Sequence, residues 1–249
     1  MIVIENIAEG GAPVSMEIEG VGVHGLLFED SKAKSGWMAM LGGCAEPEKG
    51  HIFWEKKGER LPVTAQRARI GYVPAALSLY EDMTVLELLD FFAAAKGATP
   101  DKRARQIKEA LELMGMSALS NRLVSSLSAQ NYRRLAFAQA VLGSPAFLVC
   151  DEPLAGGSAE QKRDVEALLE MLGRYRPIVI GSTSAEILPL CADVTVIGKK
   201  GLLYSGLASD LLAELKKTEV PVHEPASTKV SLAAYFGFSA DGKEEGVCS

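Results

Sequence analysis

Two neighbouring carboxylates, Asp151 and Glu152, follow the apolar run Phe147–Cys150 and precede Pro153. An apolar run that ends in acidic residues is typical of a buried parallel strand with polar side chains at its carboxyl end. One such carboxylate can order a metal ion and the other can polarise a water, as phosphoryl transfer requires. The alternative is an acidic pair in a polar turn, and the flanking residues favour the first interpretation.

Lys34 and Ser35 form a second candidate, because they lie between a predicted strand, Val23–Phe28, and a predicted helix, Ser35–Leu41. A lysine at such a junction can hold a phosphate, and a serine hydroxyl can bind a magnesium ion. The alternative is a solvated lysine followed by an ordinary N-cap serine. A third candidate is Ser128, which can cap the helix that follows it.

Strands alternate with helices along the chain, and this order predicts an α/β core. A hairpin is expected around Lys57-Gly58, and the helical spacing of apolar residues predicts a helical insert over Thr84–Arg122. Further strands are predicted at Val14–Ile18, Arg69–Val73, Phe147–Cys150, Ile178–Ile180 and, as a strand-turn-strand, Val194–Tyr204. Further helices are predicted from Asn131, at Ala159–Leu172 and at Ser209–Lys217.

The composition is that of an ordinary globular protein, with 48% hydrophobic and 23% charged residues in 249. A net charge of -6 argues against a nucleic-acid partner, because affinity for nucleic acid comes mainly from Lys and Arg. The four cysteines and three histidines are scattered and indicate no metal site. No apolar stretch reaches the ~20 residues of a membrane span, so we expect a cytoplasmic protein that acts at a membrane only through a partner.

The order of several segments is similar to that of the ABC (ATP-binding cassette) ATPase family, from about Met16 to Leu215. The segments that carry this resemblance are GLL…KS, EPEKGHIFW, RIGYVP, MTVLELL, LS…RRLAFAQAVLGSPAFLVCDEP and GLLYSG. The resemblance implies a P-loop (RecA-like) core with a mixed or parallel sheet, an antiparallel β subdomain and an α-helical insert. It also implies an ATPase domain over residues 1–217, with the core at 1–83 and 123–217 and the helical subdomain at 84–122. Residues 218–249 are then a peripheral tail.

The resemblance implies ATP and Mg²⁺ as cofactors, with Glu152 as the residue that polarises the attacking water. It places magnesium on Ser35 and Asp151. It places nucleotide contacts on Asp30, Ser31, Lys32, Ala33, Lys34, Ser35, Gly36 and, in trans, Ser128.

The sequence departs from the family pattern at most of its phosphate-handling positions. Phe28 and Ala33 stand where the phosphate loop GxxxxGK[ST] has glycine, and a residue with a Cβ in a left-handed conformation costs roughly 1–2 kcal/mol. Glu29 and Asp30 add negative charge where an anion would bind. The other departures are Ala75 for the Q-loop glutamine, Ala129-Gln130-Asn131 within the signature, Ser158 for the D-loop aspartate, Ser184 for the switch histidine, and no aromatic residue before Phe28 to stack on adenine.

These departures predict a catalytically impaired or regulatory ATPase subunit, because the loss of one well-placed donor typically costs about 10²–10³ in rate. Its expected partners are a membrane permease and a second ATPase subunit, at the inner face of the cell membrane. One alternative is an active transport ATPase with a variant P-loop that uses Lys34, Ser35 and Asp151. Another is an interaction protein that retains the fold without binding nucleotide.

Overall fold

The computed structural model describes residues 1–75, 79–217 and Phe236. The strands in this part of the chain are β1 (Ile2–Ile7), β2 (Val14–Ile18), β3 (Gly22–Phe28), β4 (His51–Lys56), β5 (Glu59–Pro62), β6 (Ile70–Val73), β7 (Phe147–Asp151), β8 (Pro177–Ser182), β9 (Asp193–Gly198) and β10 (Gly201–Leu207). The α-helices are α1 (Ser31–Leu41), α2 (Val85–Ala95), α3 (Pro100–Leu113), α4 (Ala129–Val141), α5 (Ala159–Gly173) and α6 (Ala208–Lys217).

A six-stranded sheet forms the centre of the fold, in the order β10-β9-β3-β8-β7-β6. Its strands pair in parallel, except that β10 runs antiparallel to β9. Strand β7 is buried along its whole length, which explains its continuous apolar sequence. The predicted α/β class with a mixed sheet is therefore confirmed, and the carboxyl ends of β3, β7 and β8 meet at one edge.

A separate antiparallel sheet has the order β2-β1-β4-β5. The predicted hairpin around Lys57-Gly58 is its β4–β5 unit. The sequence analysis did not predict strand β1. Its apolar residues Ile2, Ile4 and Ile7 are buried, and it pairs with β2 on one side and β4 on the other.

The helical insert consists of α2 and α3, which pack against each other and against α4. Thr84 caps α2 in a capping box with Glu87, and Pro100 occupies the first turn of α3. The two ends of the insert meet, because Thr84 and Leu123 form an isolated antiparallel bridge. This contact supports the predicted subdomain boundaries, which remain a prediction.

Two hydrophobic clusters cover the two faces of the central sheet. One lies between the sheet, α1 and the antiparallel sheet, and includes Phe28, Trp37 and Met38. The larger one joins the sheet to the remaining helices, and Phe236 packs against it. The rest of the predicted peripheral tail, residues 218–249, lies outside the described residues. Among the helices described, none is both long and apolar enough to cross a bilayer.

Candidate functional site

Helix α1 begins at Ser31, four residues earlier than the sequence predicted. Asp30 is its N-cap, and the Asp30 carboxylate accepts a hydrogen bond from the amide of Ala33 at 2.8 Å. Aspartate is among the preferred N-cap residues, and this is why the helix extends backward. Residues 31–33 therefore form a closed helical turn, and one of the turn's amides already has a carboxylate as its partner.

Lys34 is buried, with 3% of its surface exposed. Its ammonium donates a hydrogen bond to the Asp151 carboxylate, and Glu152 Oε1 lies 3.5 Å away. Asp151 is also buried, at 4% exposure. The alternative of a solvated lysine is therefore wrong, and so is that of Ser35 as the N-cap. The lysine reaches the carboxylates because α1 packs on β7 and β8, whose ends carry the acidic pair and its neighbours.

Glu152 has a left-handed backbone with a φ of 47°. Its amide donates to the carbonyl of Gly181 at 2.8 Å, which fixes this conformation. Its carboxylate accepts hydrogen bonds from Ser182 Oγ at 2.8 Å, from the Thr183 amide at 2.8 Å and from Thr183 Oγ1 at 3.1 Å. The end of β8 thus holds both the backbone and the side chain of Glu152.

Ser182 and Thr183 were absent from the predicted site. A signal for them exists in the sequence, because polar residues directly follow a predicted strand that neighbours β7 in a parallel sheet. The prediction considered only Ser184 in this segment, as the substitute for a histidine. Ser184 donates its amide to Ser182 Oγ at 3.0 Å, which orients that hydroxyl toward Glu152.

A cavity of ≈ 370 Å³ opens beside this cluster. It is lined by Ser31, Lys34, Glu152, Leu154, Ala155, Ser182, Thr183, Ser184, Glu186 and Ile187. Lys34 is the one cation among these lining residues, and carboxylates already neutralise it. The cavity therefore offers hydroxyl groups but little uncompensated positive charge to an anion.

The other predicted site residues lie on α1 and at the start of α4. Lys32 and Ser35 are exposed on the first turns of α1, and Gly36 follows them. Ser128 caps α4, accepting from the Asn131 amide at 3.3 Å, as the sequence predicted for that serine. It does not line the cavity that Lys34 and Glu152 share.

A second cavity, of ≈ 520 Å³, lies between the start of α4 and the ends of β6 and β7. Ala75, Tyr132, Arg133, Asp151 and Glu152 are among its lining residues. The guanidinium of Arg133 donates to the carbonyls of Pro153 at 3.0 Å and Ala155 at 2.8 Å. These bonds tie α4 to the loop that follows the acidic pair.

Burial also affects titratable groups near the acidic pair. It raises the pKa of Tyr72, on β6, to about 12, and the charge of Asp151 adds to this effect. Burial likewise raises the pKa of the Cys150 thiol well above its ordinary range, so this cysteine stays protonated and unreactive.

In this arrangement, groups that the resemblance assigns to a triphosphate and its magnesium ion already have partners within the chain. The segment expected to wrap the phosphates is a helical turn capped by Asp30, and Lys34 and Asp151 are each other's partners. Among the residues described, no group of three or more His, Cys, Asp and Glu is placed to hold a metal ion.

The fold combines a parallel sheet with a helix that begins at the end of β3 and an acidic pair at the end of β7. These features define a P-loop type of domain. Residues 13–155 match the family model described as ABC transporter, and the chain belongs to this family. The predicted identity as an ABC ATP-binding subunit is therefore confirmed.

Among curated relatives, the chain is 30% identical over 200 residues to the probable multidrug ABC transporter ATP-binding protein YbhF of Escherichia coli, covering 78% of this chain and 34% of the relative. It is 29% identical over 210 residues to the molybdenum import ATP-binding protein ModC of Aromatoleum aromaticum, covering 81% and 55%. The chain thus spans between about a third and about half of the length of these two relatives.

Solved structures show the same fold. The structure of cbiO1 from Clostridium perfringens, described as part of the ABC transporter complex cbiONQ, superposes with a TM-score of 0.74 at 20% identity, over 87% of this chain and 93% of that one. The dimeric bacterial ABC transporter cassette MJ0796 superposes with a TM-score of 0.70 at 16% identity, over 84% and 99%. At this identity the two structures support the fold alone.

Proposed function

We propose that this chain is the nucleotide-binding subunit of an ABC transporter whose own nucleotide site is catalytically impaired. One observation carries the proposal: the Lys34 ammonium is buried against Asp151, with Glu152 Oε1 at 3.5 Å. A lysine held by carboxylates is not available to a phosphate unless the pair is broken. The capped turn before it supports the same conclusion, because Asp30 already occupies an amide that a phosphate would need.

A substitution of Glu152, in the acidic pair, tests this proposal directly. Glu152 accepts three hydrogen bonds from Ser182 and Thr183, and these fill much of its capacity to accept a proton from water. We expect purified protein to show little magnesium-dependent ATP turnover, and Glu152→Gln to leave that turnover almost unchanged. A robust rate that this substitution abolishes would contradict the proposal.

The partners in this proposal are a membrane permease and a second ATPase subunit, with the complex at the inner face of the cell membrane. Exposed apolar side chains on the helical part of the chain support a protein partner there. Tyr80 and Phe91 are 58% and 44% exposed, and their rings contact each other edge to face at 5.5 Å. Aromatic residues exposed together are typical of an interface. Co-purification of a multi-span protein that Phe91→Glu abolishes would support this assignment.

A second candidate function is an active transport ATPase that binds nucleotide in a variant geometry. The observation that favours it is the gathering of Lys34, Asp151 and Glu152 at one sheet edge beside a cavity. Calorimetric titration with ATP and magnesium separates the two candidates. Micromolar affinity that is lost in Lys34→Ala favours the active enzyme, and the absence of measurable affinity favours the impaired subunit.

A third candidate is an interaction protein that retained only the fold. It predicts that neither nucleotide nor a permease binds. The same titration and co-purification therefore distinguish it, since the impaired subunit still brings down a membrane partner.

A further inference from the structure

The turn between β1 and β2, residues 8–13, lies directly on α1, and we call it the strap. Gly10 approaches α1 so closely that an added Cβ would lie 2.6 Å from the Cβ of Ala33. The indole nitrogen of Trp37, also on α1, donates to the carbonyl of Glu9 at 3.4 Å. At its far end the strap is fixed to the β9–β10 turn, where the Ala12 amide donates to the carbonyl of Lys199 at 3.1 Å.

The Glu9 side chain extends from the strap onto the half-buried backbone of α1 at Gly36. A Cβ added to Gly36 would lie 2.6 Å from Glu9 Oε1 and 2.9 Å from its carboxyl carbon. The carboxylate therefore fills the space that the missing side chain of Gly36 leaves open. Gly36 directly follows Lys34 and Ser35, the residues that the family resemblance assigns to nucleotide binding.

Two further carboxylates lie at the same end of α1. Asp30 caps the helix through the Ala33 amide. Glu29 Oε2 accepts the Lys199 amide at 3.0 Å, so Glu29 is held at the β9–β10 turn that also fixes the strap. The Lys34 charge is taken up by Asp151, and the Lys199 ammonium lies 3.9 Å from Glu29 Oε1. An incoming polyphosphate would therefore meet the carboxylates of Glu9 and Asp30. Like charges at such short range disfavour its binding.

We propose that the strap is an autoinhibitory element, in which Glu9 occupies the nucleotide's path along α1 and must leave before a nucleotide can bind. This inference rests on the proposed function, since it takes residues 33–36 as the place where the phosphates would lie. The proposal gives a second cause of impaired nucleotide binding, in addition to the substitutions in the phosphate loop. The impairment becomes partly reversible, because one side chain on a turn can be removed without rebuilding α1.

The test is the affinity of the full chain for MgATP, measured by calorimetry in the wild type, Glu9→Gly and Glu9→Gln. Glu9→Gly removes both the bulk and the charge of the side chain, and we expect it to bind MgATP roughly tenfold or more tightly than the wild type. Glu9→Gln keeps the size and removes the charge, so its affinity should lie between the two. The matched control is Glu17→Gln, which removes an exposed carboxylate on β2.

Strap movement has its own readout in the fluorescence of Trp37, recorded in a Trp54→Phe background that leaves Trp37 as the remaining tryptophan. MgATP should change this emission in Glu9→Gly and leave that of Glu17→Gln as in the wild type. Near-ultraviolet circular dichroism of each variant confirms that it is folded.

Two outcomes overturn the proposal. In the first, both Glu9 variants bind no more tightly than the wild type, which leaves the impaired-subunit function intact. In the second, Glu17→Gln gains as much affinity as the Glu9 variants, so that overall charge accounts for the effect. Micromolar binding by the wild type itself would instead overturn the proposed function, and the two failures are thus distinguishable.

Discussion

The ammonium of Lys34 and the carboxylate of Asp151 form an ion pair in which both side chains are at least 95% buried. Removing one partner of such a pair leaves an uncompensated buried charge, whereas removing both can be nearly neutral. We therefore expect Lys34→Met to lower the free energy of unfolding by about 3–5 kcal/mol. Urea denaturation measures this change.

The control for this prediction is the double variant Lys34→Met/Asp151→Leu, which should recover most of the lost stability. If Lys34→Met alone cost less than about 1 kcal/mol, the value typical of an exposed pair, the ion pair would not be a buried one.

Glu152 offers a prediction about backbone conformation, because its φ of 47° lies in the left-handed region. Glu152→Gly and Glu152→Ala both lose the carboxylate and its hydrogen bonds, so their comparison isolates the backbone. Glycine adopts this conformation freely, and alanine does so at a cost of roughly 1–2 kcal/mol. Thermal or urea denaturation should therefore find Glu152→Gly more stable than Glu152→Ala.

An ordinary helical position should show the opposite order. Ala94 is exposed in α2, and Ala94→Gly is expected to destabilise the protein by about 0.5–1 kcal/mol. Equal stability of the two Glu152 variants would mean that residue 152 is not held in the left-handed conformation.

Asp30 provides the third prediction, since its carboxylate caps α1. Asp30→Ala should cost about 1 kcal/mol of stability, and Asp30→Asn should cost much less because its amide oxygen can accept the same hydrogen bond. Hydrogen exchange at the Ala33 amide gives a local measurement. Unchanged protection of that amide in Asp30→Ala would be inconsistent with the cap.

The ion pair of Arg134 with Asp164 joins α4 to α5 and makes the folding stability depend on pH. The hydrogen bond from Arg134 lowers the pKa of Asp164 below its ordinary value of 3.8. A lowered folded-state pKa gives stability that is present above the unfolded-state pKa and is lost as the pH falls through the folded-state pKa. The wild type should therefore lose stability below about pH 4 more steeply than Asp164→Asn, in urea titrations across that range.

If the unfolding free energies of the wild type and Asp164→Asn fell with the same slope as the pH is lowered, a contribution from this pair would be excluded. Glu166→Gln, on the same helix, is the control, since Glu166 takes part in none of the ion pairs found among the described residues.

The strand pattern and the acidic pair could be predicted from the sequence because both depend on local apolar runs. The apolar residues before Asp151 made its strand recognisable, whereas the ion pair of Asp151 with Lys34 was not predicted. The predicted start of α1 was wrong because Ser35 and Asp30 have comparable N-cap preferences, and the structure places the cap at Asp30.

Contacts between residues that are distant in the sequence are harder to predict from local patterns. Strand β1 is different, because its six residues begin with an apolar run and exceed the length of the predicted strands β2 and β6, so the sequence does carry a signal for it. The contact of Glu9 with Gly36 joins residues 27 positions apart through a turn, and no local pattern encodes it. The bonds from Ser182 and Thr183 to Glu152 depend on the adjacency of β7 and β8, although the polar residues after the predicted strand are a sequence signal for the two side chains.

The bridge between Thr84 and Leu123 brings together the two points at which the chain enters and leaves the helical insert. The Lys96 ammonium fixes the end of α2 to the carbonyls at the end of α4. Beyond it, a segment whose ends are neighbours can change length at its far connection, residues 97–99, without altering the spacing of the strands beside it. Such a change adds little closure entropy, since that cost grows only with the logarithm of loop length. Changes in the length of that loop can therefore reshape the outer surface of the helical insert without moving Lys34, Asp151 and Glu152.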